Sequence, residues 1–264
     1  MSQLNSIAVS FQRDDLKEQA ATTATALAIP LLEQSQSITS YKYLLVYSED
    51  DSGYALELHF PTENLNPVKV DFNNQQLLYR QKFGGGRQQA IAKAVGLKRG
   101  YVPNLLDGTA GLGKDAFILA SLNCNVTMCE RNAVIHALLA DGLRRLQSGK
   151  IANEHNPTRL LLNFGKTQDY LKNTHRNIDV IYLDPMYPHR TKSALVKKEM
   201  RILRNLVGDD NDFDNVLEAA LKTASQRVVI KRPKTAPPIG PIAPSHSIES
   251  KKTRFDVYIT KQTN

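Results

Sequence analysis

The chain has 264 residues, 41% of them hydrophobic and 23% charged, with a formal net charge of +8. That composition can build one large domain and a small one, and no run approaches the roughly 18 apolar residues of a membrane span. The start, Met1-Ser2-Gln3-Leu4-Asn5, lacks a basic region followed by an apolar core, and Cys124 and Cys129 have no further Cys or His beside them. A cytoplasmic protein with reduced thiols and no metal site is therefore expected.

Charge is unevenly placed. Residues 1–70 hold 4 Lys and Arg against 9 Asp and Glu, whereas residues 71–264 hold 30 against 17. A basic excess on the larger part points to a polyanionic partner such as nucleic acid. A merely soluble basic protein would show the same count.

Residues 1–78 read as a small N-terminal α+β domain. Helical character runs over residues 19–32 and is interrupted by Pro30, and residues 41–47 and 54–60 alternate as strands around a turn at 49–53. Residues 68–72 are a third strand candidate. No chemistry is visible in this part, so a cap or substrate-orienting role is expected. Gly84-Gly85-Gly86-Arg87 follows, flanked by Arg80, Lys82 and Lys93. Three glycines allow close backbone approach to a phosphate or a methyl donor, or make a hinge. Residues 89–95 then look helical.

The most informative stretch runs from Asn104 to Asp115, Asn-Leu-Leu-Asp-Gly-Thr-Ala-Gly-Leu-Gly-Lys-Asp. Leu105 and Leu106 read as a buried parallel strand, Gly111 and Gly113 as a tight turn, and residues 116–120 as the opening of a helix. Three ligands compete for such a loop. A phosphate-binding P-loop needs Ser or Thr where Asp115 stands, and a carboxylate there repels phosphate. A dinucleotide fits Gly111-x-Gly113-x-x-Ala116, but Asp107 brings negative charge near a pyrophosphate. A cationic ligand such as S-adenosylmethionine suits Asp107 and Asp115 better. Glu130, ending the next strand (125–129), lies at the distance at which an acid bonds ribose hydroxyls.

Further along, residues 133–146 form an amphipathic helix and 159–163 a third strand followed by Lys166 and Thr167. Residues 178–183 make a fourth strand that runs into Asp184-Pro185-Met186-Tyr187-Pro188-His189-Arg190. Ligands of doubly wound sheets bind at such carboxyl ends. There Asp184 can accept hydrogen bonds from an amino group and Tyr187 can stack a base. Lys192, Lys197, Lys198, Arg201 and Arg204 interleave with apolar residues as a basic helix, residues 215–224 form another helix, and 226–230 is a fifth strand ending in Lys231-Arg232-Pro233-Lys234. After a Pro-rich loop at 237–244, residues 253–260 close the sheet as an antiparallel strand.

These stretches resemble the class I S-adenosylmethionine-dependent methyltransferases. They are closer still to the ribosomal RNA small subunit methyltransferase J family, bacterial cytoplasmic enzymes that methylate the 2-amino group of a guanine near the 3′ end of 16S rRNA. The similarity is carried by Phe83-Gly84-Gly85-Gly86-Arg87, the glycine loop, the Asp184–His189 motif with Lys192-Ser193-Ala194-Leu195-Val196-Lys197-Lys198-Glu199-Met200, and Val228-Val229-Ile230-Lys231-Arg232-Pro233. The resemblance implies a Rossmann-like α/β sheet, mostly parallel with an antiparallel C-terminal strand, occupying residues 79–264. It implies S-adenosylmethionine contacts at Asp107, Gly111, Gly113, Lys114, Asp115, Glu130, Arg131, Lys166, Thr167 and Asp184, and catalytic roles for Asp184, Pro185 and Tyr187. Arg87, Arg190, Lys192, Lys197, Lys198, Arg201, Lys231 and Arg232 are expected to face 16S rRNA or the small ribosomal subunit. Neither metal nor membrane is implied, and no oligomeric state. The same Asp-Pro-x-Tyr chemistry would serve a DNA adenine or a protein glutamine, and a non-catalytic RNA-binding module would keep the fold.

Overall fold

A computed structural model of the chain describes residues 6–33, 38–51, 53–148, 157–186, 205–206, 213–237, 239 and 242–260. Two compact units form. The first combines residues up to Phe72 with a later segment that contains the helix Ala133–Ser148, and the second holds the glycine loop and the remaining strands.

In the first unit β1 (Ile7–Phe11) pairs parallel with β2 (Tyr43–Asp50), which pairs antiparallel with β3 (Gly53–His59). Strand β1, not expected from the sequence, is buried at four of its five positions. The helix Lys17–Leu27 stops short of Pro30 because Ala28 turns left-handed, with φ at 52°. Residues 68–72 make a single bridge, Val68 to Leu58, instead of a strand. The Val70 carbonyl is taken by the Arg145 guanidinium, which removes it from any ladder.

The helix Ala133–Ser148 is fastened in this unit by Asp141. Its buried carboxylate accepts Leu56 N at 3.0 Å, Arg145 Nε at 2.9 Å and Arg144 Nη2 at 2.8 Å, while the Arg144 guanidinium lies 3.8 Å from the Tyr54 ring centre. A buried carboxylate needs this degree of pairing to offset its desolvation.

The second unit is a seven-stranded sheet in the order β6-β5-β4-β7-β8-β10-β9. Its strands are β4 (Asn104–Asp107), β5 (Asn125–Glu130), β6 (Leu160–Phe164), β7 (Val180–Leu183), β8 (Arg227–Pro233), β9 (His246–Glu249) and β10 (Thr253–Ile259). The first five in this order run parallel; β10 is antiparallel to both β8 and β9. This is the mostly parallel α/β sheet expected, with one strand more. Strand β9 is too polar to signal itself in the sequence and is held by register and by Ser247 Oγ donating to buried Asp256 Oδ1 at 2.6 Å.

Core side chains of β4, β7 and β8, among them Leu106, Ile181, Leu183, Val228 and Ile230, pack against Val216, Leu217 and Ala220 of the helix Phe213–Thr223. These strands are apolar runs because helices cover parallel sheets on both faces. The chain winds outward through β4, β5 and β6, then returns to start β7 on the other side of β4. The order therefore reverses between β4 and β7, and the carboxyl ends of those two strands flank the crevice where such sheets bind ligands. The basic helix expected near residues 192–206 lies outside the described residues except for Asn205 and Leu206. Among the described residues no helix is long and apolar enough to cross a membrane.

Candidate active site

Parallel register assembles the site. Asp107 is level with Tyr182 across β4 and β7, so the next residues out, Gly108 and Leu183, face each other and Gly108 N donates to the Tyr182 carbonyl at 2.9 Å. One step further, Asp184 N donates to Thr109 Oγ1 at 2.6 Å. Gly108 has no room for a side chain, because a Cβ there would meet Leu183 Cδ2 at 2.8 Å and Thr167 Cγ2 at 2.9 Å. Thr167 is buried, and its hydroxyl donates to the Gly108 carbonyl at 2.5 Å. Its side chain thus braces the loop from behind.

The loop then turns through Gly111 (φ 52°) and Gly113 (φ 71°), both left-handed, and enters the helix Lys114–Ser121. Glu130 closes this turn. Its Oε2 accepts Gly111 N at 3.0 Å and its Oε1 accepts Asn132 N at 2.7 Å.

Four charged groups converge beside the loop. Asp115, in the first turn of its helix, accepts Arg80 Nη1 at 2.8 Å on one oxygen, and the Tyr182 hydroxyl at 2.8 Å and Lys231 Nζ at 2.9 Å on the other. Lys231 Nζ also donates to Asp184 Oδ2 at 2.7 Å. Burial alone would raise the Asp115 carboxyl, but Lys231 and Arg80 hold it down at about 2. Burial pushes the Tyr182 hydroxyl well up, and the neighbouring acids push it further. Asp107 is the contrast. It is 2% exposed, it accepts Thr109 N at 3.1 Å, and burial raises it to about 8, with Asp115 and Asp184 adding to the rise. Burial thus favours its neutral form. Asp184 keeps 42% of its side-chain surface open while Lys231 holds one oxygen.

Of the expected donor-site residues, Asp107, Gly111, Asp115, Glu130, Thr167 and Asp184 take part in these bonds, and Gly113 lies in the turn before Asp115. Lys114 and Lys166 are exposed at the starts of their helices, Arg131 is half-buried after β5, and Pro185 follows Asp184 half-buried. Tyr187, Arg190, Lys192, Lys197, Lys198 and Arg201 lie outside the described residues. Arg87 is exposed. Two residues expected on an RNA-facing surface are turned elsewhere. Arg232 is 2% exposed and donates to the Pro237 carbonyl at 2.6 Å, and Lys231 directs its ammonium at the two site carboxylates. The residues to which the sequence assigned no role of their own are Thr109, inside the glycine loop, Tyr182 and, as an ion-pair partner, Arg80. Their polar atoms matter only through register and helix packing. Cys124 and Cys129 are buried, and burial pushes both thiols up to about 12, so neither is reactive. Among the described residues no group of three His, Cys, Asp or Glu could hold a metal ion.

The sequence profile of the SAM-dependent methyltransferase family SAM_MT matches residues 31–260. A ribosomal RNA small subunit methyltransferase J from Shewanella oneidensis is 49% identical over 228 residues, covering 83% of this chain and 90% of that protein. One of the same name from Shewanella loihica is 54% identical over 195 residues, 74% and 75% of the two chains. The crystal structure of a SAM-dependent methyltransferase from Neisseria gonorrhoeae aligns with a TM-score of 0.73 at 31% identity over 97% of each chain. The chain is a member of the S-adenosylmethionine-dependent methyltransferases and, within them, of the ribosomal RNA small subunit methyltransferase J family.

Proposed function

We propose that this chain methylates the 2-amino group of a guanine near the 3′ end of 16S rRNA, in the cytoplasm, acting on the RNA alone or in the small ribosomal subunit. The observation that carries the reading is the Asp184 carboxylate. It stands at the end of β7 beside the glycine loop, is steadied by Thr109 and Lys231, and remains open on one side. The names of the relatives and the net +13 of residues 71–264 support an RNA substrate.

The donor set fits S-adenosylmethionine. Glu130, at the end of β5 and bonded to the glycine turn, is proposed to accept the ribose hydroxyls. Asp107 and Asp115 put acid where the ligand is cationic, and the left-handed Gly111 and Gly113 turn the chain tightly there. Lys114, Arg131 and Lys166 are proposed to complete the wall, and Thr167 holds Gly108. Bound there, S-adenosylmethionine supplies an electrophilic methyl group on a sulfonium.

The chain's own residues have to prepare the nucleophile. A guanine amino nitrogen is weak because its lone pair is delocalised into the ring. Asp184, with the Pro185 carbonyl, is proposed to accept the amino hydrogens and favour the pyramidal nitrogen. Lys231 fixes the carboxylate for that task. Tyr187 is proposed to stack the extruded base, which stabilises by roughly 1–3 kcal/mol and offsets part of the unstacking cost. Positioning of this kind supplies much of the rate of a transfer.

The test pairs labelled donor with small-subunit RNA and particles lacking the modification, followed by mapping of the methylated nucleotide. Label in DNA or protein instead would overturn the substrate assignment. Asp184→Ala should abolish single-turnover transfer at saturating donor while RNA affinity stays nearly unchanged, because that affinity comes from Lys and Arg and the carboxylate acts mainly in the transition state. A variant with near wild-type single-turnover rate would remove Asp184 from this role.

A further inference from the structure

We propose that Tyr79 and Phe83, on the helix Gln75–Phe83, form a stacking platform for unpaired bases of the RNA substrate. The inference rests on the RNA reading above and extends it to a surface outside the site. Tyr79 is 66% exposed and Phe83 62%. They are i and i+4 on the helix, and their ring centres lie 4.9 Å apart at an interplanar angle of 39°. Lys82 Nζ stands 5.5 Å from the Phe83 ring centre. A single exposed aromatic residue is ordinary, but two that lean together make a contiguous apolar face, which is the kind of feature that marks a contact surface.

The helix that carries them is anchored. Leu77 is buried, and Arg80 bonds Asp115 at 2.8 Å, so the helix bearing the ring pair is tied to the site. The occupant follows from charge. From residue 72 to residue 106 the chain has no Asp or Glu and six Lys or Arg: Arg80, Lys82, Arg87, Lys93, Lys98 and Arg99. A second copy of the chain would bring the same cations against these, at an electrostatic cost. A single-stranded polynucleotide offers a π-face for each ring and a phosphate for Lys82, the two contacts that such surfaces combine.

The experiment measures binding of a labelled single-stranded oligonucleotide carrying the small-subunit 3′ sequence, and of the same sequence as a duplex, by fluorescence anisotropy over a range of salt. Tyr79→Ala with Phe83→Ala should weaken single-strand binding by about 5- to 150-fold per base unstacked. Its salt slope should not change, since no phosphate contact is lost, and neither should its calorimetric affinity for S-adenosylmethionine. Tyr79→Leu with Phe83→Leu should lose as much, because leucine keeps apolar area without a π-face, whereas Tyr79→Phe should bind as the wild type does. Lys82→Ala should instead flatten the salt slope. Wild-type affinity in the double alanine variant would overturn the platform, as would an effect confined to the duplex. A changed oligomeric state with unchanged RNA affinity would assign the face to self-association. If the wild type methylates small-subunit RNA and the double variant binds it normally, the platform fails and the proposed function stands. If the wild type neither binds nor methylates that RNA, the proposed function fails and the platform with it.

Discussion

Asp107→Asn probes the buried acid at the end of β4. In the free protein, burial lifts this carboxyl from 3.8 to about 8, against one hydrogen bond from Thr109 N and the more distant Lys231. The native state then keeps a proton that the unfolded chain has already released. The sign follows: stability from the neutral form is fully present below 3.8 and is lost as pH rises through about 8. At ~1.36 kcal/mol per pH unit, the full interval corresponds to up to ~6 kcal/mol. Asparagine is neutral throughout and keeps the oxygen that accepts Thr109 N. The stability of Asp107→Asn relative to wild type should therefore grow by ~1.4 kcal/mol for each unit of pH between about 5 and about 8. Urea unfolding of both proteins across that range reads the difference directly. A difference that stays flat with pH would mean that Asp107 is ionised in the free protein, and the argument from burial would fall. The same reasoning covers the donor. A cationic ligand beside Asp107 favours its charged form, so wild-type binding near neutral pH should release about one proton, and Asp107→Asn should release none and bind more weakly. Calorimetry in two buffers of different ionisation enthalpy counts that proton.

Lys231→Met should leave Asp184 and Asp115 without their shared cation, 2.7 Å and 2.9 Å away in the wild type. A carboxylate that loses a cation titrates higher, so the single-turnover rate should fall at neutral pH and its acid limb should move to higher pH; an unmoved limb would show that Lys231 serves packing alone. Glu130→Ala removes the acceptor of Gly111 N and Asn132 N, and with it the carboxylate proposed to bind the ribose. Hydrogen bonds to a charged group contribute roughly 1.5–3 kcal/mol, so donor affinity should fall by about 10- to 150-fold. Unchanged calorimetric affinity would remove Glu130 from the donor site.

Much of the site is legible in the sequence because it is local. The glycines that turn the chain after β4, the acid that ends β5 and the Asp-Pro that follows β7 each announce themselves within a few residues. So do β4, β7 and β8, whose buried centres are continuous apolar runs. Strands β1 and β9 are not legible, since Ile7–Phe11 follows no turn signal and His246–Glu249 is mostly polar. Each becomes a strand only when a longer neighbour offers it a ladder. The helix Ala133–Ser148 shows its amphipathic period in sequence, but its partner in the first unit depends on Asp141 meeting Leu56 N, a contact 85 residues away.

The basic residues in the last stretch of β8, Lys231 and Arg232, show what tertiary structure alone decides. Lys231 and Arg232 read as two equivalent cations on the way out of a strand. Parallel register sets Ile230 level with Leu183, so the next residues out, Lys231 and Asp184, meet side by side. Arg232, one residue on, projects from the other face of the strand, where it is buried and bonds the Pro237 carbonyl. A register is a relation between two segments, here 47 residues apart. No property of either segment contains it, and for that reason the sequence named the carboxylate while only the fold supplied its cation.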